Sequence, residues 1–264
     1  MSTALVTGAS SGIGLAAARA LKKAGYTVIG TSRDPDAASV RVPEFDFLRL
    51  DMTEESSVKA LCDSLPPLDL LVNNAGASLM SALEETPLLT IRRLYELLFF
   101  GNIQLIQGIL PGMRARGGGL IINIGSLTEY TPAPGTSVYA SAKAALHALS
   151  TALRQELGPF GIRVATVAPS YIHTPITQER LIYDNSPYMG LIRDSGVARD
   201  AGIESGSPPE EIARVIVKIA GKRHPASFYA AGKNARLLSA AHRFLPETLR
   251  EAAIRRKFSK QKGR

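Results

Sequence analysis

The chain has 264 residues, of which 45% are hydrophobic and 20% charged, a balance that is typical of a soluble globular protein. Its single cysteine, Cys62, excludes an internal disulfide and a metal site built from several cysteines. The formal net charge of +8 belongs to the segment 233–264, which carries ten Lys and Arg residues against two Glu.

The predicted elements alternate between apolar strands and helices. In chain order they are a strand over 4–8, a helix over 10–25, strands over 26–33 and 47–52, a helix over 54–64, a strand over 69–76, a helix over 87–116, a strand over 118–126, a helix that carries Tyr139 and ends near Gly158, and strands over 162–169 and 226–232. Because the strands are apolar without alternation and are separated by helices, we expect an α/β fold. It is a Rossmann-type doubly wound parallel sheet of about seven strands, with helices on both faces.

The region after the strand 162–169 has two notable features. Residues 170–206 show no regular pattern, and a connection of this length is typical of a lid or binding loop. Ser207 and Glu210 then predict a capping box, with proline in the first turn of a helix that reaches about Gly221.

No linker or repeat divides the chain, so we expect one domain. Residues 1–232 would form the dinucleotide-binding and catalytic body, with 170–206 as its substrate loop. Residues 233–264 would form a basic helical extension of the same domain.

Location and macromolecular partners follow from the same patterns. The sequence contains no run of about 18 apolar residues and no secretory leader pattern, so we expect neither a membrane span nor a signal peptide, and a cytoplasmic protein. No motif typical of nucleic-acid binding occurs, and we expect no nucleic-acid partner. The basic segment is expected to be a solvated helix, with at most a weak contact to an acidic membrane surface.

A glycine-rich turn joins the first predicted strand to the first helix, with the spacing Gly-x-x-x-Gly-x-Gly. Glycines permit a tight turn and close backbone approach, and the start of the helix offers free N–H groups to an anion. A strand before and a helix after the turn predict a dinucleotide site. The candidate binding residues are Gly8, Ser10, Ser11, Gly12, Ile13 and Gly14.

Tyr139 and Lys143 are four residues apart in a run of small residues, so they share one face of the predicted helix. An ammonium near a phenol lowers its pKa from about 10 toward the range where acid–base catalysis is efficient. Ser126 ends a strand at the edge of the sheet that carries the glycine-rich turn, where its hydroxyl can bind a substrate oxygen. Taken alone, the Tyr–Lys pair is equally consistent with an ordinary surface helix.

Together these motifs resemble the short-chain dehydrogenase/reductase family, in its compact single-domain branch. The resemblance is carried by TGASSGIG (7–14), NNAG (73–76), Ser126 and Tyr139-x-x-x-Lys143, and it covers residues 3–232. It implies an NAD(P)-dependent oxidoreductase that acts on a CH–OH group. In that enzyme Tyr139 is the acid/base, Lys143 also binds the nicotinamide ribose, and Ser126 orients the carbonyl.

The resemblance also exposes a departure in the long helix. The family has an asparagine three residues before a glycine, and aligning on Gly101 puts Leu98 at that position. The proton relay of the family is therefore either shifted to Asn102 or absent. Relatives are commonly dimers or tetramers packed through the two long helices, here near 87–116 and 136–157, so a homodimer or homotetramer is expected.

The second predicted strand ends in Thr31-Ser32-Arg33. The Arg33 guanidinium suits a 2′-phosphate, whereas a carboxylate at Ser32 would select NAD, so we expect NADP(H). NAD(H) stays possible because Asp34 follows. The resemblance adds further cofactor contacts at Asp51, Met52, Asn74, Ala75, Gly76, Tyr139, Lys143, Pro169, Ile172 and Thr174.

The substrate loop is rich in apolar side chains, which suits a lipophilic alcohol or ketone. The C-terminal part loosely resembles 17β-hydroxysteroid and retinol dehydrogenase-like members, which favours a steroid-, retinoid- or lipid-like substrate. Two alternatives stay open: a 3-oxoacyl reductase, and a catalytically weak NADP-binding sensor protein suggested by Leu98. No metal is expected.

Overall fold

A computed structural model describes residues 2–176 and 178–259. Its strands are β1 (Thr3–Val6), β2 (Thr27–Ser32), β3 (Asp46–Arg49), β4 (Leu70–Asn73), β5 (Ser78–Ser81), β6 (Gly119–Ile124), β7 (Ile162–Pro169), β8 (Gln178–Leu181) and β9 (Phe228–Ala231). Seven of them form one parallel sheet in the order β3-β2-β1-β4-β6-β7-β9, while β5 and β8 form a separate parallel pair.

The helices are α1 (Gly12–Lys23), α2 (Pro35–Arg41), α3 (Glu55–Ser64), α4 (Leu88–Tyr95), α5 (Gly101–Ala115), α6 (Ser137–Leu157), α7 (Met189–Glu204), α8 (Pro209–Ala220), α9 (Ala235–Phe244) and α10 (Glu247–Ser259). A π-helical turn, Glu96–Phe100, joins α4 to α5. Within the described residues, none of these helices is long and apolar enough to cross a membrane.

The core lies on both faces of the large sheet. Neighbouring residues of β1 point to opposite sides, with Ala4 and Val6 in one apolar cluster and Leu5 in the other. The first cluster includes residues of α1 and α8, and the second includes residues of α3 and α5. The predicted doubly wound parallel sheet is therefore confirmed.

Two stretches that the sequence left irregular contain regular structure. The loop after β2 forms α2, whose start is capped by Asp34 Oδ1 accepting from the Ala37 N–H at 2.9 Å. The substrate loop contains β8 and α7. The pairing partner of β8 is β5, which is remote in the sequence, so no local pattern marks either strand.

The predicted capping box at the start of α8 is wrong. The Ser207 hydroxyl accepts a hydrogen bond from the Lys233 N–H at 2.9 Å, and α8 begins after Pro208 without a side-chain cap. The Ser207 N–H donates to the Tyr171 carbonyl, which holds Ser207 in the extended connection before the helix. A tertiary contact has replaced the local one.

Candidate active site

The glycine-rich turn after β1 is too tight for side chains. Gly8 and Gly12 have φ values of 65° and 55°, a conformation that favours glycine. A Cβ added to Gly14 would lie 2.2 Å from the Gly8 carbonyl oxygen and 2.5 Å from Asn74 Nδ2. The Ser11 side chain does not cap α1. This cradle of backbone at a helix start fits the diphosphate of a dinucleotide.

The segment after β4 is tied to the same turn. Thr7 Oγ1 accepts hydrogen bonds from the N–H groups of Asn74 and Ala75, at 2.8 and 2.9 Å, and Asn74 Nδ2 donates to the Thr7 carbonyl at 2.9 Å. Gly76 follows and is exposed. The structure thus brings Asn74–Gly76 beside the glycine-rich turn.

The connection after β7 reaches the turn from the other side. Pro169 ends the strand, and Ile172 is buried and forms an isolated β-bridge with Ser207. A Cβ added to Gly12 would lie 3.3 Å from Thr174 Cβ, so Thr174 packs directly on the glycine-rich turn.

The end of β2 presents the residues expected to select the cofactor. Arg33 is exposed, and Ser32 is partly buried. Asp34 is occupied in capping α2, where its carboxylate accepts from the Ala37 N–H. Arg33 is therefore an exposed cation at this rim, and Asp34 is directed to the helix.

Asp51 and Met52 follow β3 on the same edge. Burial raises the pKa of Asp51, but hydrogen bonds from the Thr53 N–H and hydroxyl and the charge of Arg33 outweigh it, so the pKa lies below its ordinary value. Met52 is buried, and a Cβ added to Gly101 would lie 2.3 Å from its carbonyl oxygen. The start of α5 is thereby pressed against this segment.

Ser126, Tyr139 and Lys143 meet beside the end of β6. Ser126 caps a short 3₁₀ helix, Leu127–Glu129, and accepts from the Thr128 N–H at 3.2 Å. Tyr139, which is 7% exposed, lies beside Ser126, whose hydroxyl lowers the pKa of the phenol. Lys143 is buried, and its Nζ donates to the Ile124 carbonyl at 2.7 Å.

A family model described as short chain dehydrogenase matches residues 2–182. The chain belongs to this family. It is therefore an oxidoreductase, and the predicted family and enzyme class are confirmed. Members of this family bind NAD(P) and act on small molecules.

Two curated relatives cover nearly the whole dehydrogenase. The uncharacterized oxidoreductase YusZ of Bacillus subtilis is 34% identical across 96% of this chain and 97% of its own. The 3-ketodihydrosphingosine reductase of Bacteroides thetaiotaomicron is 30% identical across 95% of this chain and 96% of its own.

Solved structures agree with this assignment. A short-chain dehydrogenase from Streptomyces avermitilis superposes with a TM-score of 0.82 and 32% identity, over 97% of this chain and 98% of its own. The closed form of a serine dehydrogenase complexed with NADP+ has a TM-score of 0.74 and 25% identity, over 88% and 94% of the two chains.

The protonation of the tyrosine in this dehydrogenase differs from the expectation. Burial raises the pKa of Tyr139, while the positive charge of Arg199 and the hydrogen bond to Ser126 lower it less strongly. Lys143, expected to lower it, directs its ammonium to the Ile124 carbonyl. Burial lowers the pKa of Lys143 itself to about 8.

The position of the family's relay asparagine is apolar in this dehydrogenase. Leu98 is fully buried within the π-helical turn and packs against Tyr139. Asn102 is buried too, and its Nδ2 donates to the Leu98 carbonyl at 2.9 Å. Its Oδ1 has no hydrogen-bond partner among the described residues. Whether Asn102 takes part in a relay stays a prediction.

Three charged or titratable residues of this site were missed by the sequence analysis. Arg199 of α7 lies over the Tyr139 ring, with its guanidinium carbon 5.7 Å from the ring centre. The other two are Glu129 of the 3₁₀ helix and His147 of α6. The sequence could have indicated His147, because it follows Lys143 by one helical turn and therefore shares its helix face. Arg199 lies in a region without any recognised pattern.

Proposed function

We propose that the protein is an NADP(H)-dependent reductase that interconverts a ketone and a secondary alcohol on a lipophilic small molecule. The observation that carries this proposal is the meeting of Ser126, Tyr139 and Lys143 at the end of β6, on the same edge of the sheet as the glycine-rich turn. Hydroxyl, phenol and ammonium are the groups that a carbonyl reduction needs.

Each side chain has a distinct role in the proposed reaction. The nicotinamide, when bound, supplies a hydride to the carbonyl carbon. Ser126 donates a hydrogen bond to the carbonyl oxygen, and Tyr139 gives its phenolic proton to the developing alkoxide. Because burial raises the pKa of Tyr139, the phenol keeps its proton at neutral pH, which favours the reductive direction.

The proposed preference for NADP(H) rests on charge at the end of β2. Arg33 is exposed, Ser32 carries no carboxylate, and Asp34 caps α2. A guanidinium can form charge-assisted hydrogen bonds with a 2′-phosphate. The similar serine dehydrogenase was solved with NADP+, which agrees with this preference.

The proposed lipophilic substrate is supported by the apolar packing of the substrate loop on the body. Met80 of β5 and the following Ala82 pack with Ile192 of α7, and Tyr188 adds to this cluster. The 3-ketodihydrosphingosine reductase relative is named for a ketone on a long alkyl chain, which is the same class of substrate.

Cofactor binding tests the first part of the proposal. We expect a fluorescence titration to show tighter binding of NADPH than of NADH. Arg33→Ala should weaken NADPH binding by about 10- to 100-fold, the loss expected when one charge-assisted hydrogen bond is removed. The affinity for NADH should stay unchanged. Arg49→Ala, an exposed arginine at the end of β3, is the matched control. Tighter NADH binding would overturn the NADP(H) assignment.

Turnover tests the second part. Tyr139→Phe should lower kcat for NADPH-dependent reduction of long-chain ketones by about 10²- to 10⁴-fold, because the proton donor is lost. The variant should still bind NADPH. A variant as active as the wild type would refute the proposed chemistry, and a wild type that binds NADPH without turnover would indicate a sensor.

We further propose a homo-oligomer built on the two long helices. Leu88, Leu89 and Phe100, on α4 and the following turn, are 59%, 78% and 49% exposed, which is unusual for large apolar side chains. Leu89→Arg should dissociate the assembly to a monomer, as measured by light scattering. A wild-type monomer would contradict this.

A further inference from the structure

Glu129 provides a buried carboxylate near the proposed catalytic residues. The Glu129 side chain is 1% exposed, and its Oε1 lies 2.9 Å from His147 Nδ1. Glu129 ends the 3₁₀ helix that Ser126 caps. His147 follows Lys143 by four residues on α6, as Lys143 follows Tyr139, so the three side chains line one helix face about 6 Å apart.

We propose that Glu129 and His147 are positioning residues of the dehydrogenase: the buried Glu129 carboxylate, placed by the half-buried His147 ring, keeps Lys143 charged and Tyr139 protonated at the reacting edge. This inference rests on the proposed function of Tyr139 and Lys143. It adds two residues to the site that none of the family motifs in the sequence contains.

Lys143 needs a nearby negative charge because it is buried. A buried ammonium is costly unless a negative charge compensates it. Lys143 is 6% exposed, and the hydrogen bond that its Nζ makes is to a neutral carbonyl, that of Ile124. Burial lowers the pKa of Lys143, and the charge of Glu129 raises it again. Glu129 acts on Tyr139 in the same direction.

The residue at the family's asparagine position carries no charge. Leu98 is fully buried there and packs in one apolar cluster with Tyr139. The Glu129 carboxylate comes instead from the 3₁₀ helix after β6, where a Cβ added to Gly125, next to Ile124, would lie 3.7 Å from Glu129 Oε2. The negative charge that acts on Lys143 therefore comes from Glu129.

Aromatic side chains pack around the pair. The Tyr130 hydroxyl lies 3.4 Å from His147 Nδ1, and its ring stacks on His242 of α9 at 3.9 Å. Burial and the charge of Arg250 lower the pKa of His242, which keeps it neutral at neutral pH. The charged and titratable groups facing the site from its elements are Tyr130, Tyr139, Lys143, His147, Arg199, His242 and Arg250.

The experiment measures NADPH affinity against pH by fluorescence titration. Because the resemblance assigns the nicotinamide ribose to Lys143, affinity should fall as Lys143 loses its proton. This fall in affinity at high pH is the alkaline limb of the curve. Glu129→Gln removes a negative charge, so the alkaline limb should move to lower pH. The limb of kcat for ketone reduction should move in the same direction, since Tyr139 also becomes more acidic. His147→Leu removes the side chain that places the carboxylate, so both limbs should shift in the same direction, and the double variant should shift them no further.

Controls separate this effect from a general change of charge or stability. Glu156→Gln makes the same charge change at an exposed position of α6 and should leave the limbs unchanged. Glu129→Asp keeps the charge and should restore the wild-type limb. The Glu129→Gln shift should persist in about 1 M NaCl, where the Debye length is about 3 Å, because the carboxylate is buried.

The outcomes distinguish this inference from the proposed function. If Glu129→Gln only lowers the melting temperature while the limbs stay in place, the pair is structural and the inference is overturned. If Glu129→Gln does not fold, the His147→Leu limbs decide in the same way. If the wild type does not bind NADPH, the proposed function itself fails.

Discussion

Charge of both signs acts on Tyr139, and neither source belongs to the glycine or Tyr–Lys motifs. The Arg199 guanidinium lies over the tyrosine ring at 5.7 Å and lowers the pKa of the phenol, while Glu129 raises it. Replacing Arg199 and replacing Glu129 should therefore shift the pKa of Tyr139 in opposite directions. Burial sets the direction of the net shift, and the two charges adjust it.

Arg199→Gln should move the alkaline limb of ketone reduction to higher pH. Without the guanidinium the phenolate is less favoured, so the pKa of Tyr139 rises and the proton donor persists to higher pH. Alcohol oxidation, which needs the phenolate, should begin at higher pH. The measurement is the pH profile of kcat in both directions.

Arg193→Gln is the matched control for this prediction. Arg193 is on the same helix, is 56% exposed and pairs with Asp184 at 3.2 Å. The pH profile of Arg193→Gln should match that of the wild type. A limb that moves to lower pH in Arg199→Gln, or equal shifts in both variants, would contradict the assigned role of Arg199.

At the scale of elements, the contact between α1 and the glycine-rich turn leaves no room for a side chain. Gly14→Ala should destabilise the protein by about 1–3 kcal/mol, because the new methyl would lie 2.2 Å from the Gly8 carbonyl oxygen. NADPH affinity should also fall, because the glycine-rich turn must widen to accommodate the new methyl group. Urea unfolding and the fluorescence titration measure the two effects.

Gly112→Ala in α5 is the opposite case. A Cβ there meets no atom within 4 Å, so the gain in helix propensity should stabilise the protein by up to about 1 kcal/mol. Equal destabilisation of the two variants would show that the turn is not as close as described.

The elements also differ in how far the sequence predicts them. The strand 162–169 coincides with β7, because a long apolar run buried on both faces has a local signature. Within the substrate loop, β8 is partly exposed and α7 buries few side chains, so neither has a clear apolar period. Both depend on tertiary contacts, such as the pairing of β8 with β5 and the packing of Ile192 against Met80, which leave no local signature.

At the scale of the whole molecule, the charge is concentrated at the C-terminal end. The segment 233–264 carries the full net charge of +8. Helix α9 packs on the body through Ala235 and Leu238, while Leu237 and Phe244 are 70% and 77% exposed. Seven residues separate these two, so they share one side of the helix. Basic and exposed apolar side chains together favour an anionic membrane surface.

Full-length protein should therefore bind vesicles that contain phosphatidylserine and not vesicles of phosphatidylcholine alone. Deleting residues 250–264, of which 260–264 lie outside the described part of the structure, should abolish binding, because each basic residue contributes about 1 kcal/mol near such a surface. Sedimentation at low and high salt measures this. Equal binding by the truncated chain would rule out the basic segment as the contact.

The sequence by itself determined the family, the doubly wound parallel sheet and the candidate residues Ser126, Tyr139 and Lys143. These depend on spacing along the chain and on runs of apolar residues, and both are local properties. Only the tertiary structure decided that Glu129 is buried against His147, that Arg199 covers Tyr139, and that Ser207 binds the Lys233 N–H. A motif records how residues follow one another, whereas the charge state of a buried group depends on what packing brings to it from distant segments.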